Sequence, residues 1–195
     1  MACVSTYLSS ISTSCTSNLP SIKQLWIGQF ESAKFTYTYL TETDADGNQI
    51  IEAVSAATLN KEDAKTKPWV TFNFKKNTGE LTSEYTLNDN GSFYFTNSVN
   101  LVFAKLDNSK RLSLEAVASG ECSCIVLDSN GQYWLLGGEN PVSMSSLSAT
   151  TGVAISDSNA YNVSISETSG SMPILIEKEQ AQTIINTLTT VTPGA

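Results

Sequence analysis

The chain has 195 residues, 41% of them hydrophobic and 15% charged, with a formal net charge of −8 and no histidine. That length buries one good core, so one domain is the default. The acidic balance argues against a protein that grips nucleic acid by its phosphates, and the missing histidine removes the commonest general base and metal ligand.

Residues 1–13 form a Ser-rich arm, with Val4, Tyr7, Leu8 and Ile11 at helical spacing. The arm lacks the basic and long apolar regions of a secretory signal. No run of about 18 apolar residues follows it, so the chain is read as made inside the cell, with no membrane role. From Ser21 the pattern turns to strand: SIKQLWIG, AKFTYTYL and NQIIEAVSAA, the last two joined by an Asp46-Gly47-Asn48 turn. After a charged loop, WVTFNFKK (Trp69 to Lys76) alternates apolar and polar, Asn77-Thr78-Gly79 turns the chain, and LTSEYTL continues it. An Asn88–Gly91 turn leads to SFYFTNSVNLVFAKL, where Val99, Leu101 and Phe103 share one strand face.

Asp107 then reads as a helix N-cap. Leu114, Val117 and Ala118 form the inward stripe, and Gly120 takes the left-handed position that ends the helix. A hairpin about Asn130-Gly131 follows, expected to use a type I′ turn. Its strands, Cys122 to Leu127 and Tyr133 to Leu136, are apolar on both faces, which requires a core below and the Asp107–Gly120 helix or another subunit above. A second hairpin turns about Asp157-Ser158-Asn159. Ala181, Ile184, Ile185 and Leu188 space as a closing amphipathic helix behind Glu177 and Glu179.

The elements sum to a mainly β fold, an antiparallel β-sandwich or barrel of about nine or ten strands, with one flanking α-helix and a short C-terminal helix. The divisions are an arm at 1–13, a β domain at 14–176, and a helix with tail at 177–195.

No motif marks chemistry. TDADGNQ misses the calcium-loop spacing because Gly47 directly follows the second Asp. LLGGEN has neither a dinucleotide fingerprint nor a Walker lysine. Cys3, Cys15, Cys122 and Cys124 lack C-x-x-C spacing and read as reduced thiols. No catalytic residue, cofactor or metal is expected. Trp26, Trp69 and Trp134 would suit a sugar-binding groove but in β runs are more often core.

Across most of its length the chain resembles the tail-tube-like structural proteins of tailed bacteriophages, particularly those infecting Bacteroidetes. The likeness covers roughly residues 14–176. It lies in Ser14 to Asn18, Ser21 to Ile27, Phe72-x-Phe74-Lys75-Lys76-Asn77-Thr78-Gly79 and Leu106-Asp107-x-x-Lys110-Arg111. It continues in Asp128-Ser129-Asn130-Gly131-x-Tyr133-Trp134-Leu135-Leu136-Gly137, in Thr151-Gly152, and in Asp157-Ser158-Asn159-Ala160-Tyr161, departing at Ala160, where a glycine is expected. The resemblance implies a non-enzymatic virion subunit of a tail tube or head-to-tail connector ring. It would be a homo-oligomer, hexamer or dodecamer, joined to other tail or connector proteins. DNA would pass through its channel without specific binding. The alternatives are a carbohydrate- or receptor-binding β module and an enzyme such as a cell-wall hydrolase.

Charge placement sharpens this expectation. Residues 1–111 carry 10 basic and 11 acidic groups, whereas residues 112–195 carry one basic and eight acidic, net −7. An acidic lumen keeps DNA from adhering. Glu121, Asp128, Glu139, Asp157 and Glu167, in or beside the predicted hairpins, are therefore the candidate lumen acids. Lys61, Lys65 and Lys67 are the candidate contacts between stacked rings.

Overall fold

A computed structural model describes residues 18–30, 35–43, 46–47, 49–59 and 69–189. Lys61, Lys65, Lys67, Cys3, Cys15 and the arm lie outside the described residues.

The chain runs β1 (Ile22–Gln29), β2 (Phe35–Thr43), β3 (Gln49–Leu59), β4 (Val70–Phe72), β5 (Glu80–Leu87), β6 (Phe93–Ala104) and α1 (Asn108–Ala118). It continues through β7 (Cys122–Asp128), β8 (Tyr133–Leu136), β9 (Ser143–Thr150), β10 (Ala160–Ser169), β11 (Ile174–Ile176) and α2 (Lys178–Thr189). Seven strands form one sheet in the order β2-β3-β11-β8-β7-β1-β4, and four form the other, β5-β6-β10-β9. Every pairing is antiparallel except β11 with β3. The sandwich expected from the sequence is what forms. β11, three residues long, and β9, in the Ser/Thr-rich passage, are the strands that sequence reading passed over. The second hairpin, expected over residues 151–166, instead pairs β9 with β10 around a loop at 151–159, and β4 claims only the front of WVTFNFKK.

Two cores explain the doubly apolar hairpin. Leu25, Ile27, Cys124, Val126 and Leu136 point from the large sheet to meet Val99, Leu101, Phe103, Val163 and Ile165 of the small one. Their alternating neighbours Trp26, Ile125, Tyr133 and Leu135 point the other way, beneath Ala181, Ile184 and Ile185 of α2. The layers are thus small sheet, large sheet and α2. The covering element is α2, not the helix at 107–120 or another subunit as expected, so α2 contributes to the domain core. α1 adds Leu114 and Val117 to the inter-sheet core.

α1 begins as expected, with Asp107 Oδ1 accepting from Lys110 N at 2.8 Å. Its end differs. Gly120 has no left-handed φ, and the cap is Ser119, in right-handed geometry with its N–H directed at Glu115 O and Val117 O. The chain leaves straight into strand pairing, since Phe30 N–H donates to Glu121 O at 3.0 Å, so no reversal needs a glycine there. Ala118 is exposed, which narrows the buried stripe to Leu114 and Val117.

The Asn-Gly turns also differ from the expected type I′. Only the glycines, Gly91 and Gly131, take positive φ, 81° and 91°, while Asn90 and Asn130 do not. Gly131 N–H donates to Asp128 O, and Asp128 N–H to Gln132 O. Residues 88–92 repeat this pattern, a four-residue turn followed by a left-handed glycine.

Candidate functional site

The outer face and free edges of the four-stranded sheet are the most distinctive surface. Side chains alternate along each strand, so the positions between the buried residues of β6 and β10 face outward. Thr96, Ser98 and Asn100 of β6 and Ser164 and Ser166 of β10 lie there, with Glu80 and Glu84 of β5 in register beside them. Small hydroxyls knit the surface, as where Ser145 Oγ donates to Ser164 Oγ at 3.1 Å. The four strands contain no Lys or Arg. Among the described residues β5 pairs with β6 alone and β9 with β10 alone, so two eight-residue edges stand open.

The five acids singled out from the sequence do not share this face. Glu121 and Asp128 flank opposite ends of β7. Glu121 and Glu139 are exposed. Asp128 is spent on its own hairpin: Oδ1 accepts from Asn130 N and Gln132 N, both at 2.8 Å, and Oδ2 from Trp134 Nε1 at 3.1 Å. Asp157 closes the β9–β10 loop, its Oδ2 accepting from Val153 N and Ala154 N at 2.8 Å, and these backbone donors hold its carboxyl below the usual range.

Glu167 is a correction. It continues the inward row of Tyr161, Val163 and Ile165 and is buried between the sheets, where it cannot act as a wall charge. Its Oε1 accepts from Asn97 Nδ2 at 2.9 Å and its Oε2 from Gly137 N. Asn97 in turn accepts from Ser83 Oγ at 2.6 Å and donates to Ser171 O, while Ser123 Oγ donates to Gly137 O at 2.7 Å. Burial raises the Glu167 carboxyl above its ordinary value against the pull of those donors. The space it shares with Glu139 is about 10 Å³, no more than one water, so these two carboxylates face no room for a substrate.

The tryptophans join the architecture. Trp26 and Trp69 are buried and Trp134 is half-buried. Cys122 and Cys124 are buried free thiols, and burial drives Cys124 well above its usual value, which keeps it protonated and unreactive. Among the described residues no three His, Cys, Asp or Glu gather as a metal site.

The small sheet carries an unusual feature at each end. Phe93 and Phe95 prolong the inward row of Asn97, Val99, Leu101 and Phe103 past the core, and cross-strand partners Leu87 and Tyr85 do the same on β5. Tyr85, Leu87 and Phe93 are 56, 61 and 54% exposed. The rings of Tyr85, Phe93 and Phe95 lie 5.7–6.1 Å apart, an aromatic cluster open to water. At the opposite end the loop 151–159 exposes Val153 and Ile155 completely, at 103 and 108%. Sequence reading missed both features. The signal for the first was a twelve-residue strand, longer than the five or six residues usual for a strand.

Comparison with protein-family models, with curated proteins and with solved structures finds no match in any of the three.

Proposed function

We propose that the protein is a non-enzymatic structural subunit of a virion, of the tail-tube or head-to-tail-ring kind found in tailed bacteriophages, whose four-stranded sheet builds the wall of a channel. The observation that carries this is a sheet with two open edges and no basic residue on any of its strands. Edge strands are ordinarily guarded by charge, proline or cover, because an open edge recruits another strand. β9 (SMSSLSAT) has neither charge nor proline.

Joining β9 of one copy to β5 of the next makes every seam antiparallel, because each copy contributes four alternating strands. Six copies close into 24 strands, four from each. With strands about 4.8 Å apart and tilted about 40°, such a barrel has a backbone radius of roughly 24 Å. Side chains then leave a bore on the order of 30 Å, room for a duplex. Its lining, mostly Ser, Thr and Asn with Tyr94, Val102, Glu80 and Glu84, offers phosphates no cation. The wall acids in this reading are Glu80 and Glu84, in place of the five taken from the hairpins.

Electron microscopy of the purified protein tests the proposal: rings or tubes are expected. Leu147→Lys, which charges the β9 edge, should abolish them and leave a folded monomer. Particles that remain single under assembly-promoting salt and concentration would count against it, as would rings whose bore is lined by α1 or α2. A carbohydrate-binding module would instead present open tryptophans, and Trp26 and Trp69 are buried.

A further inference from the structure

We infer that the two ends of the four-stranded sheet are the halves of one head-to-tail contact between copies. Val153 and Ile155 of one copy form a peg that seats on the Tyr85, Leu87, Phe93 and Phe95 patch of the next. The inference deepens the assembly reading above and rests on it only in requiring that copies meet.

The peg is a built feature. Two backbone N–H groups of loop 151–159 are held by Asp157 Oδ2, and Asp157 N–H returns a bond to Ala154 O. Gly152 takes a φ of 73°, and a Cβ there would run into Asp157. Asn159 ties the loop to the start of α1, its carbonyl accepting from Lys105 N and its side chain from Leu106 N. A loop so braced points two apolar side chains into water. An exposed apolar surface of this kind marks a place where something else docks.

The patch lies at the far end of the same sheet. Ala160 pairs with Ala104 beside the peg, and Phe93 pairs with Leu87 at the patch. The twelve residues of β6 separate them by about 40 Å. Two different surfaces at opposite ends match only head-to-tail, since a two-fold dimer would set like against like. In a ring of tilted strands the two ends become the upper and lower rims, so the contact stacks one ring on another.

Charge complements shape. Residues 84–96, about the patch, hold Glu84 and Asp89 and no basic residue, whereas Glu80 pairs with Asn100 toward the other end. The peg end gathers Lys75, Lys76 and Lys105 against Glu80 and Asp157, with Lys110 and Arg111 paired to Asp107 and Glu115; Lys75 N–H donates to Val102 O, which brings its turn alongside. Six apolar side chains fall well short of the ~1,600 Å² of a standard interface, so one contact alone is weak. Repeated round a ring, it gains from multivalency.

Disulfide trapping reads a weak contact directly. In full-length protein with Cys3 and Cys15 replaced by Ser, Ile155→Cys and Phe93→Cys are made separately and mixed under mild oxidation. The expected product is the mixed dimer, with little homodimer from either variant alone. A Phe93→Cys homodimer in excess, or no cross-link at all, would overturn the contact. As a second measure, Ile155→Glu should weaken concentration-dependent association at least tenfold in sedimentation without changing the melting temperature; association equal to that of the unsubstituted protein would also overturn it. The two proposals fail separately. Successful trapping with open filaments and no rings removes the ring reading alone. Rings without trapping remove the contact alone.

Discussion

The carboxylate of Glu167 lies inside the sandwich because β10 is long enough to carry its inward row beyond the apolar core, to where Asn97 and the Gly137 N–H can receive it. Gly137 makes this possible. It sits at a φ of 77°, and a Cβ would meet Cys122 O and Ser123 Cα at 2.7 Å. Gly137→Ala combines backbone strain with a clash against backbone and should cost about 2–4 kcal/mol, measured by urea denaturation. Glu167 also gives the fold a pH signature. Its folded pKa is raised, so the stability it lends is complete below its unfolded pKa and is lost as pH rises through the folded value. The stability of the native protein relative to Glu167→Gln should therefore fall from acid toward neutral pH. A difference that stays flat across that range would mean that the carboxylate titrates as if in water. Asp107 and Asp157 have lowered values and act in the opposite sense, their contributions disappearing only as pH drops through those lowered values.

At the scale of elements, α2 decides whether the large sheet is finished. Without Ala181, Ile184 and Ile185, one face of β7 and β8 would stand bare to water. Ile184 is 2% exposed, and Ile184→Ala should destabilise by about 2–4 kcal/mol. Leu112, exposed on α1, should tolerate the same change to within about 0.5 kcal/mol. Comparable losses at the two sites would show that α2 is peripheral. Gly28 is a smaller instance of close fit, since a Cβ there would press into the Trp69 ring at 2.8 Å.

At the scale of the molecule, the wall reading predicts a gain of function. Ser98 and Ser166 are cross-strand partners on the outward face of the small sheet. Replacing both with Lys should leave subunit folding and assembly intact and convert the assembled bore into a salt-dependent DNA binder. Retention of duplex across a salt series measures this, with affinity falling steeply as salt rises. An assembled double variant that ignores DNA at low salt would place the channel wall elsewhere.

The sequence by itself determined most of the strands, both helices, the Asp107 cap and the Asn-Gly turn positions, but not β9 or β11. Each follows from local physics: periods of two and 3.6, glycine's tolerance of positive φ, and a carboxylate's affinity for free N–H groups. It also determined that β7 and β8 need cover on both faces, since Ile125 and Val126 are both apolar. Only the tertiary structure decided that α2 supplies the second cover, because hydrophobic burial has no direction and any apolar face satisfies it. The fate of the acids was likewise tertiary. Asp128 and Asp157 bond to their own loops, and Glu167 turns inward through the parity of its strand and the position of Gly137, whereas Glu80 and Glu84 face out. The aromatic patch had the same cause: the inward row of β6, apolar but for Asn97, runs from Phe103 back to Phe93, and the length of the opposing layer sets where burial stops.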